Sequence, residues 1–262
     1  MSATLITGAS SGIGAVFAQE LAKRNKNLVL VARSEDKLQQ IAEKLQAKYQ
    51  IEIQAIKQDL TEPDAVNKIF TKLESQQINI DFLINNAGFG EYGSFNQTKW
   101  ETQQRMIQLN ILALVELTHK YLPIMIGNNY GRIINVASTA AFQPMPYLSV
   151  YAATKAFVLN FTEALWAENR NTGVKILALC PGPTKTEFFN EAGWERFYTN
   201  SSEYKNTFDE PSEVVKTALK DIEKGNSYSV PGRFLNQVIT NIPRFLPREM
   251  IAKLVEREFR PT

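Results

Sequence analysis

The sequence predicts an α/β fold, a doubly wound parallel β-sheet flanked by helices on both faces, and three observations carry that prediction. Short β-rich runs alternate with longer segments of helical period along the 262 residues. One run, Leu28-Val29-Leu30-Val31, is apolar at every position, which is the pattern of a strand covered on both sides. The first strand runs into Thr7-Gly8-Ala9-Ser10-Ser11-Gly12-Ile13-Gly14, a glycine-rich turn that opens a helix.

Taken in order, Ala3-Thr4-Leu5-Ile6-Thr7 gives a strand at 3–7, and the glycine turn starts a helix at 12–25. Strands follow at 27–32, 51–56, 81–84, 130–136, 174–180 and 227–230, with helices between them at 35–48, 62–75, 99–126, 149–170 and 212–224. Ala, Phe, Leu and Glu through Ala167 sustain the helix that begins near Ser149. The segment 186–211, rich in aromatic and polar residues, fits neither period and is expected to be a substrate loop. Residues 243–260 combine Phe245, Leu246, Met250, Ile251, Leu254, Val255 and Phe259 with five basic side chains, an amphipathic helix suited to covering the substrate mouth or docking on the core. There is no repeat or long linker, and 1–262 is expected to form one domain.

Composition narrows the chemistry. Against 27 acidic side chains stand 29 basic ones, a formal charge of +2 with no long basic block, which gives nucleic-acid binding no support. Cys180 is the single cysteine and His119 the single histidine, so no metal site is expected. Cys180 ends an apolar strand and reads as packing; His119 packs on the long helix or faces solvent. The amino terminus enters a strand at once, and no run approaches the ~18 apolar residues of a membrane span. A cytoplasmic protein without membrane contact is expected.

The glycine turn and three other clusters carry the functional reading. Gly8, Gly12 and Gly14 remove side chains where the backbone turns and let a pyrophosphate approach the amino end of the helix, so Gly8, Ser10, Ser11, Gly12, Ile13 and Gly14 are candidate cofactor contacts. The absence of Gly-Lys-Ser/Thr disfavours a phosphate-binding loop of the NTPase kind. Tyr151 and Lys155, four residues apart on a helix, share one face, where an ammonium beside a phenol favours phenolate. At the end of the second strand stands Ala32-Arg33-Ser34 rather than a carboxylate, so Arg33 would meet a ribose 2′-phosphate, favouring NADP(H) with NAD(H) as the alternative.

Thr7-Gly8-Ala9-Ser10-Ser11-Gly12-Ile13-Gly14, Asn85-Asn86-Ala87-Gly88, Asn110, Ser138, Tyr151-x3-Lys155 and Pro181-Gly182 together resemble the short-chain dehydrogenase/reductase family, over roughly residues 3 to 186. The resemblance implies a Rossmann-like fold and a role for each residue. Tyr151 would be the acid/base for a carbonyl or alcohol. Lys155 would lower the tyrosine pKa and hold the nicotinamide ribose. Ser138 would hold the substrate oxygen, and Asn110 would anchor a water-linked proton route to Lys155. Asp59 resembles the family's adenine contact, with Asn86, Ala87 and Gly88 on the adenosine side and Thr186 near the carboxamide. Relatives commonly form homodimers or homotetramers through the two long helices.

Phe142, Pro144, Met145, Pro146 and Tyr147 before Tyr151, with Phe188, Phe189, Trp194, Phe197, Tyr198 and Phe208 after Gly182, suit a bulky apolar pocket. The expected activity is NADP(H)-dependent interconversion of a ketone or aldehyde and an alcohol, reducing a medium or large apolar substrate. A 3-oxoacyl thioester reductase and a non-catalytic nucleotide-sensing module are the alternatives.

Overall fold

The computed structural model describes residues 1–188 and 208–260. Seven strands, β1 (Ser2–Thr7), β2 (Leu28–Ala32), β3 (Ile53–Lys57), β4 (Asn79–Asn85), β5 (Gly131–Val136), β6 (Val174–Leu179) and β7 (Tyr228–Ser229), form one parallel sheet in the order β3-β2-β1-β4-β5-β6-β7. The chain winds outward from β1 to β3, returns to the centre as β4, and winds out on the other side. This reversal leaves a crevice at the carboxyl ends of β1 and β4.

Strand side chains alternate between two cores. Leu28 and Leu30 of β2 face one side, where α1 (Gly12–Ala22), α2 (Glu35–Tyr49) and α7 (Pro211–Glu223) contribute Phe17, Leu38 and Leu219. Val29 and Val31 face the other, against α3 (Ala65–Ser75) and α5 (Leu114–Gly127) through Ile69, Leu73, Leu117 and Tyr121. Each fully buried aliphatic side chain of this kind contributes about 1.5–3 kcal/mol. That two-sided burial is why the strands read as apolar runs. α6 (Ser149–Glu168) adds Val158 and Leu159 to a third cluster with Leu114 and Cys180. The Cys180 side chain is fully buried, as expected for packing, and His119 faces solvent.

Several expected elements change at their ends or in their interior. Helix 12–25 stops at Ala22, where the chain turns into a left-handed conformation at Asn25. Helix 62–75 starts at Ala65, after Asp64 has also taken a left-handed φ. The expected helix 99–126 runs from α4 (Trp100–Ile107) into α5 with a π-helical turn, Gln108–Ala113, between them. By length and composition this 28-residue helix could cross a membrane; its inner face, with Met106, Leu117 and Met125, is buried in the protein.

At the carboxyl end, α8 (Phe234–Asn241) was not foreseen, and the amphipathic segment divides at Pro247 into a short turn (Ile242–Arg244) and α9 (Arg248–Phe259). Pro243 and Pro247 lack the N–H that one continuous helix would need. Of the expected substrate loop, 189–207, with Phe189, Trp194, Phe197 and Tyr198, lies outside the described residues.

Candidate active site

The crevice opens into a cavity of about 520 Å³ that runs from the glycine turn past the carboxyl ends of β4, β5 and β6. Gly8 and Gly12 take left-handed φ values of 64° and 52°. The turn is folded tightly against the end of β4: a Cβ on Gly14 would lie 2.3 Å from the Gly8 carbonyl oxygen, and one on Gly8 would lie 2.9 Å from Ala87 Cα. Thr7 fastens the two segments, its hydroxyl accepting from the backbone N–H groups of Asn86 and Ala87 at 3.0 Å each. The Asn86 amide donates to the carbonyls of Thr7 and Gly8 at 2.9 and 3.1 Å. Asn86 therefore braces the turn while also lining the cavity.

Beside the turn, a Cβ on Gly12 would stand 3.1 Å from Thr186 Cγ2, so glycine keeps that gap open. An open helix amino end that begins with Gly12 and faces a cleft suits a pyrophosphate. The residues present fit a dinucleotide. Ser10, Ser11, Ile13, Ala87, Gly88, Pro181 and Gly182 all line the same cavity.

At the adenosine end, Arg33 follows β2 and is exposed beside Lys37 in the first turn of α2; both line the cavity. Lys37 was not picked out from the sequence, although its position three residues into a helix that starts next to Arg33 is the signal that could have found it. Asp59 also lines the cavity. Burial disfavours its charge, but Thr61, which donates its N–H at 2.9 Å and its hydroxyl at 2.8 Å, and the positive charges of Arg33 and Arg105 outweigh it. The carboxyl is held below its usual range.

At the inner end, Ser138, Tyr151 and Lys155 meet. Ser138 sits two residues past β5, its hydroxyl accepting from Ala140 N–H at 3.1 Å, so it caps the following short turn as well as facing the cavity. Tyr151 and Lys155, on the buried face of α6, are 7% and 5% exposed. Lys155 Nζ lies 5.8 Å from the Tyr151 ring centre.

The expected lowering of the phenol pKa is not what this environment produces. Burial pushes Tyr151 up to about 12, opposed by hydrogen bonding with Ser138. Burial likewise pushes Lys155 down to about 8. Sequence spacing reveals the neighbour but not the desolvation, which here dominates.

Asn110 is buried in the π-helical turn. Its amide donates to the Phe89 carbonyl at 3.0 Å and to the Thr154 hydroxyl at 3.1 Å, and its oxygen accepts from Phe89 N–H at 3.1 Å. Its side chain thus anchors the loop after β4 to α6. Thr154, missed in the sequence, completes this link by donating to the Tyr151 carbonyl at 2.7 Å. Gly90 is a second omission: a Cβ there would lie 3.1 Å from Tyr151 Cδ2 and 3.3 Å from Phe188 Cζ. The Phe188 ring packs 5.6 Å from that of Tyr151, and Met145, Ile239 and Phe259 line the outer cavity.

A Rossmann-like sheet with a dinucleotide cradle at its reversal point, and a buried tyrosine and lysine with a half-buried serine at the cradle's inner end, defines an oxidoreductase of the CH–OH/C=O type. The short chain dehydrogenase family matches residues 2–196. The chain is 31% identical to the very-long-chain 3-oxoacyl-CoA reductase of Mus musculus, over 96% of this chain and 77% of that protein. It is 34% identical to the 7beta-hydroxysteroid dehydrogenase of Mediterraneibacter gnavus, over 70% of this chain and 68% of that one. A short-chain dehydrogenase from Sphingobium yanoikuyae, solved in complex with NADPH, superposes with a TM-score of 0.81 at 32% identity, over 95% of this chain and 97% of that one. The chain belongs to the short-chain dehydrogenase family, and its cofactor is a nicotinamide dinucleotide.

Proposed function

We propose that this protein is an NADP(H)-dependent reductase of medium or large apolar ketones or aldehydes, able to run in reverse on the corresponding alcohols. The observation that carries the reading is the buried Tyr151 phenol beside Ser138, in one cavity with the glycine turn. At neutral pH a phenol with its pKa raised to about 12 is protonated, which is the form that donates to a carbonyl oxygen. Ser138 would hold that oxygen beside the phenol. Lys155 would supply positive charge behind it and reach the ribose, while Asn110 and Thr154 hold α6 and the Phe89 loop in register. When bound, the dinucleotide supplies the hydride.

Gly8, Ser10, Ser11, Gly12, Ile13 and Gly14 would receive the pyrophosphate; Asp59, Asn86, Ala87 and Gly88 would flank the adenosine; Pro181, Gly182 and Thr186 would flank the nicotinamide. NADP(H) preference is supported by Arg33 and Lys37 on one rim and by the NADPH held by the Sphingobium yanoikuyae protein. An apolar substrate is supported by Met145, Phe188, Ile239 and Phe259. A 3-oxoacyl thioester is the second reading, favoured by the likeness to the Mus musculus reductase. Self-association is supported by apolar residues exposed on the π-helical turn before α5 and on α6, Leu112 and Phe157, and light scattering would measure it.

The test is NADPH oxidation by wild type and Tyr151→Phe across aliphatic ketones, aromatic aldehydes, steroids and 3-oxoacyl thioesters. Turnover that falls by about a thousandfold or more in the variant supports the role of the phenol. Equal turnover in both proteins would remove it.

A further inference from the structure

The cavity extends outward beyond Tyr151 to Phe259, at the end of α9. This helix is anchored at two levels. Ile251 and Val255 are buried in one cluster with Met106, Met145, Leu148 and Tyr151, so the helix shares a core with the phenol itself. Its last turn is gripped by two tyrosines from separate loops. The Tyr92 hydroxyl donates to the Phe259 carbonyl oxygen at 2.5 Å, and the Tyr147 hydroxyl donates to the Glu256 carboxylate at 2.8 Å.

Helix-terminal carbonyls have no partner within their own helix, so the bond from Tyr92 both satisfies one and pins the end. The two rings lie 6.3 Å apart, and Gly93 N–H donates to the Tyr147 carbonyl at 2.9 Å, tying their loops together. Tyr147 holds φ at 64°, a left-handed conformation that costs an aromatic residue energy and persists where surrounding contacts impose it. Neither tyrosine lines the cavity.

We propose that Tyr92 and Tyr147 are positioning residues that latch the carboxyl-terminal helix across the substrate mouth, and that Phe259, held by this latch, is a specificity-determining wall for bulky apolar carbonyl compounds. The proposal rests on the carbonyl-reductase reading above. Without the latch, Phe259 leaves the distal part of a bulky substrate in water, whereas a small ketone never reaches it.

Tyr92→Phe, Tyr147→Phe, the double variant and Phe259→Ala are compared with wild type on a four-carbon ketone and a diaryl ketone, and hydrogen–deuterium exchange follows residues 248–260. The double variant is expected to exchange faster in that segment. Its kcat/KM for the diaryl ketone is expected to fall about tenfold through KM, with that for the small ketone kept within about twofold. Phe259→Ala should reproduce the KM effect. Glu256→Gln, which keeps an acceptor for Tyr147, should hold wild-type selectivity where Glu256→Ala does not. Unchanged exchange in the double variant overturns the latch, and equal loss on both ketones overturns the selectivity. A wild type silent toward every carbonyl overturns the reading beneath the proposal, and because exchange needs no turnover the two failures are told apart.

Discussion

Lys155 donates from its ammonium to the Val136 carbonyl oxygen, 2.8 Å away at the end of β5. One hydrogen bond to a neutral acceptor does not replace the hydration that a buried ammonium loses, which is why its pKa falls from 10.5 to about 8. Between those values the unfolded chain keeps a proton that the folded chain has released, so stability in the absence of cofactor should rise with pH. The slope should approach, at most, about 1.4 kcal/mol per pH unit. Urea unfolding of wild type and Lys155→Met from pH 7.5 to 10 checks this: wild type gains stability relative to the variant as pH rises. Above pH 10 the raised Tyr151 pKa acts in the opposite sense, because there the folded chain holds the extra proton.

Asn110 satisfies three partners from inside the helix, on Phe89 and Thr154. Truncation leaves buried backbone groups unmatched, each worth about 1–3 kcal/mol. Asn110→Ala should therefore lower the unfolding free energy by about that amount and reduce kcat more than it raises KM, because the loop beside Tyr151 and Gly90 loosens. Denaturant titration together with steady-state kinetics reads both effects.

Gly14 is limited by space rather than by backbone angle. A methyl group there meets the Gly8 carbonyl at 2.3 Å and the Asn86 amide at 2.6 Å, and neither is a free side-chain end. Gly14→Ala should push the turn off β4, costing about 1–3 kcal/mol of stability, in line with other overpacked sites, and weakening NADPH binding at least about tenfold. Thermal unfolding and a fluorescence titration would show it. Unchanged affinity would mean that the turn does not cradle the pyrophosphate.

These sites differ in how far the amino-acid order foretold them. The strands were legible because β1, β2 and β4 are buried on both faces, and Tyr151, Lys155 and Ser138 could be picked out because they follow the glycine turn and Asn85-Asn86-Ala87-Gly88 in one ordered set of motifs. The π-helical turn was not legible: one extra residue in a turn scarcely disturbs a helical pattern read over 28 positions. In α9 the apolar stripe revealed which side would be buried, but no periodic pattern says that the partners are Tyr92 and Tyr147, more than a hundred residues away. For Tyr151, spacing supplied the nearby charge, while burial, a property of the folded whole, set the direction of the pKa.

Lys37 also bears on the cofactor, since the first turn of α2, four residues after Arg33, places both cations on one rim of the cavity. Its ammonium lies 3.5 Å from Glu187, with both side chains more than half exposed, so this ion pair is weak and leaves the lysine able to turn toward an added phosphate. Arg33 offers planar paired donors and no lysine can copy that geometry. Arg33→Ala should thus weaken NADPH binding about ten- to a hundredfold while changing NADH by less than about threefold. Lys37→Ala should show the same selectivity with a smaller loss. Calorimetric titration of each variant with both dinucleotides measures the differences. Equal losses for NADPH and NADH would show that these cations meet the shared part of the dinucleotide, and NADP(H) preference would then lack its structural cause.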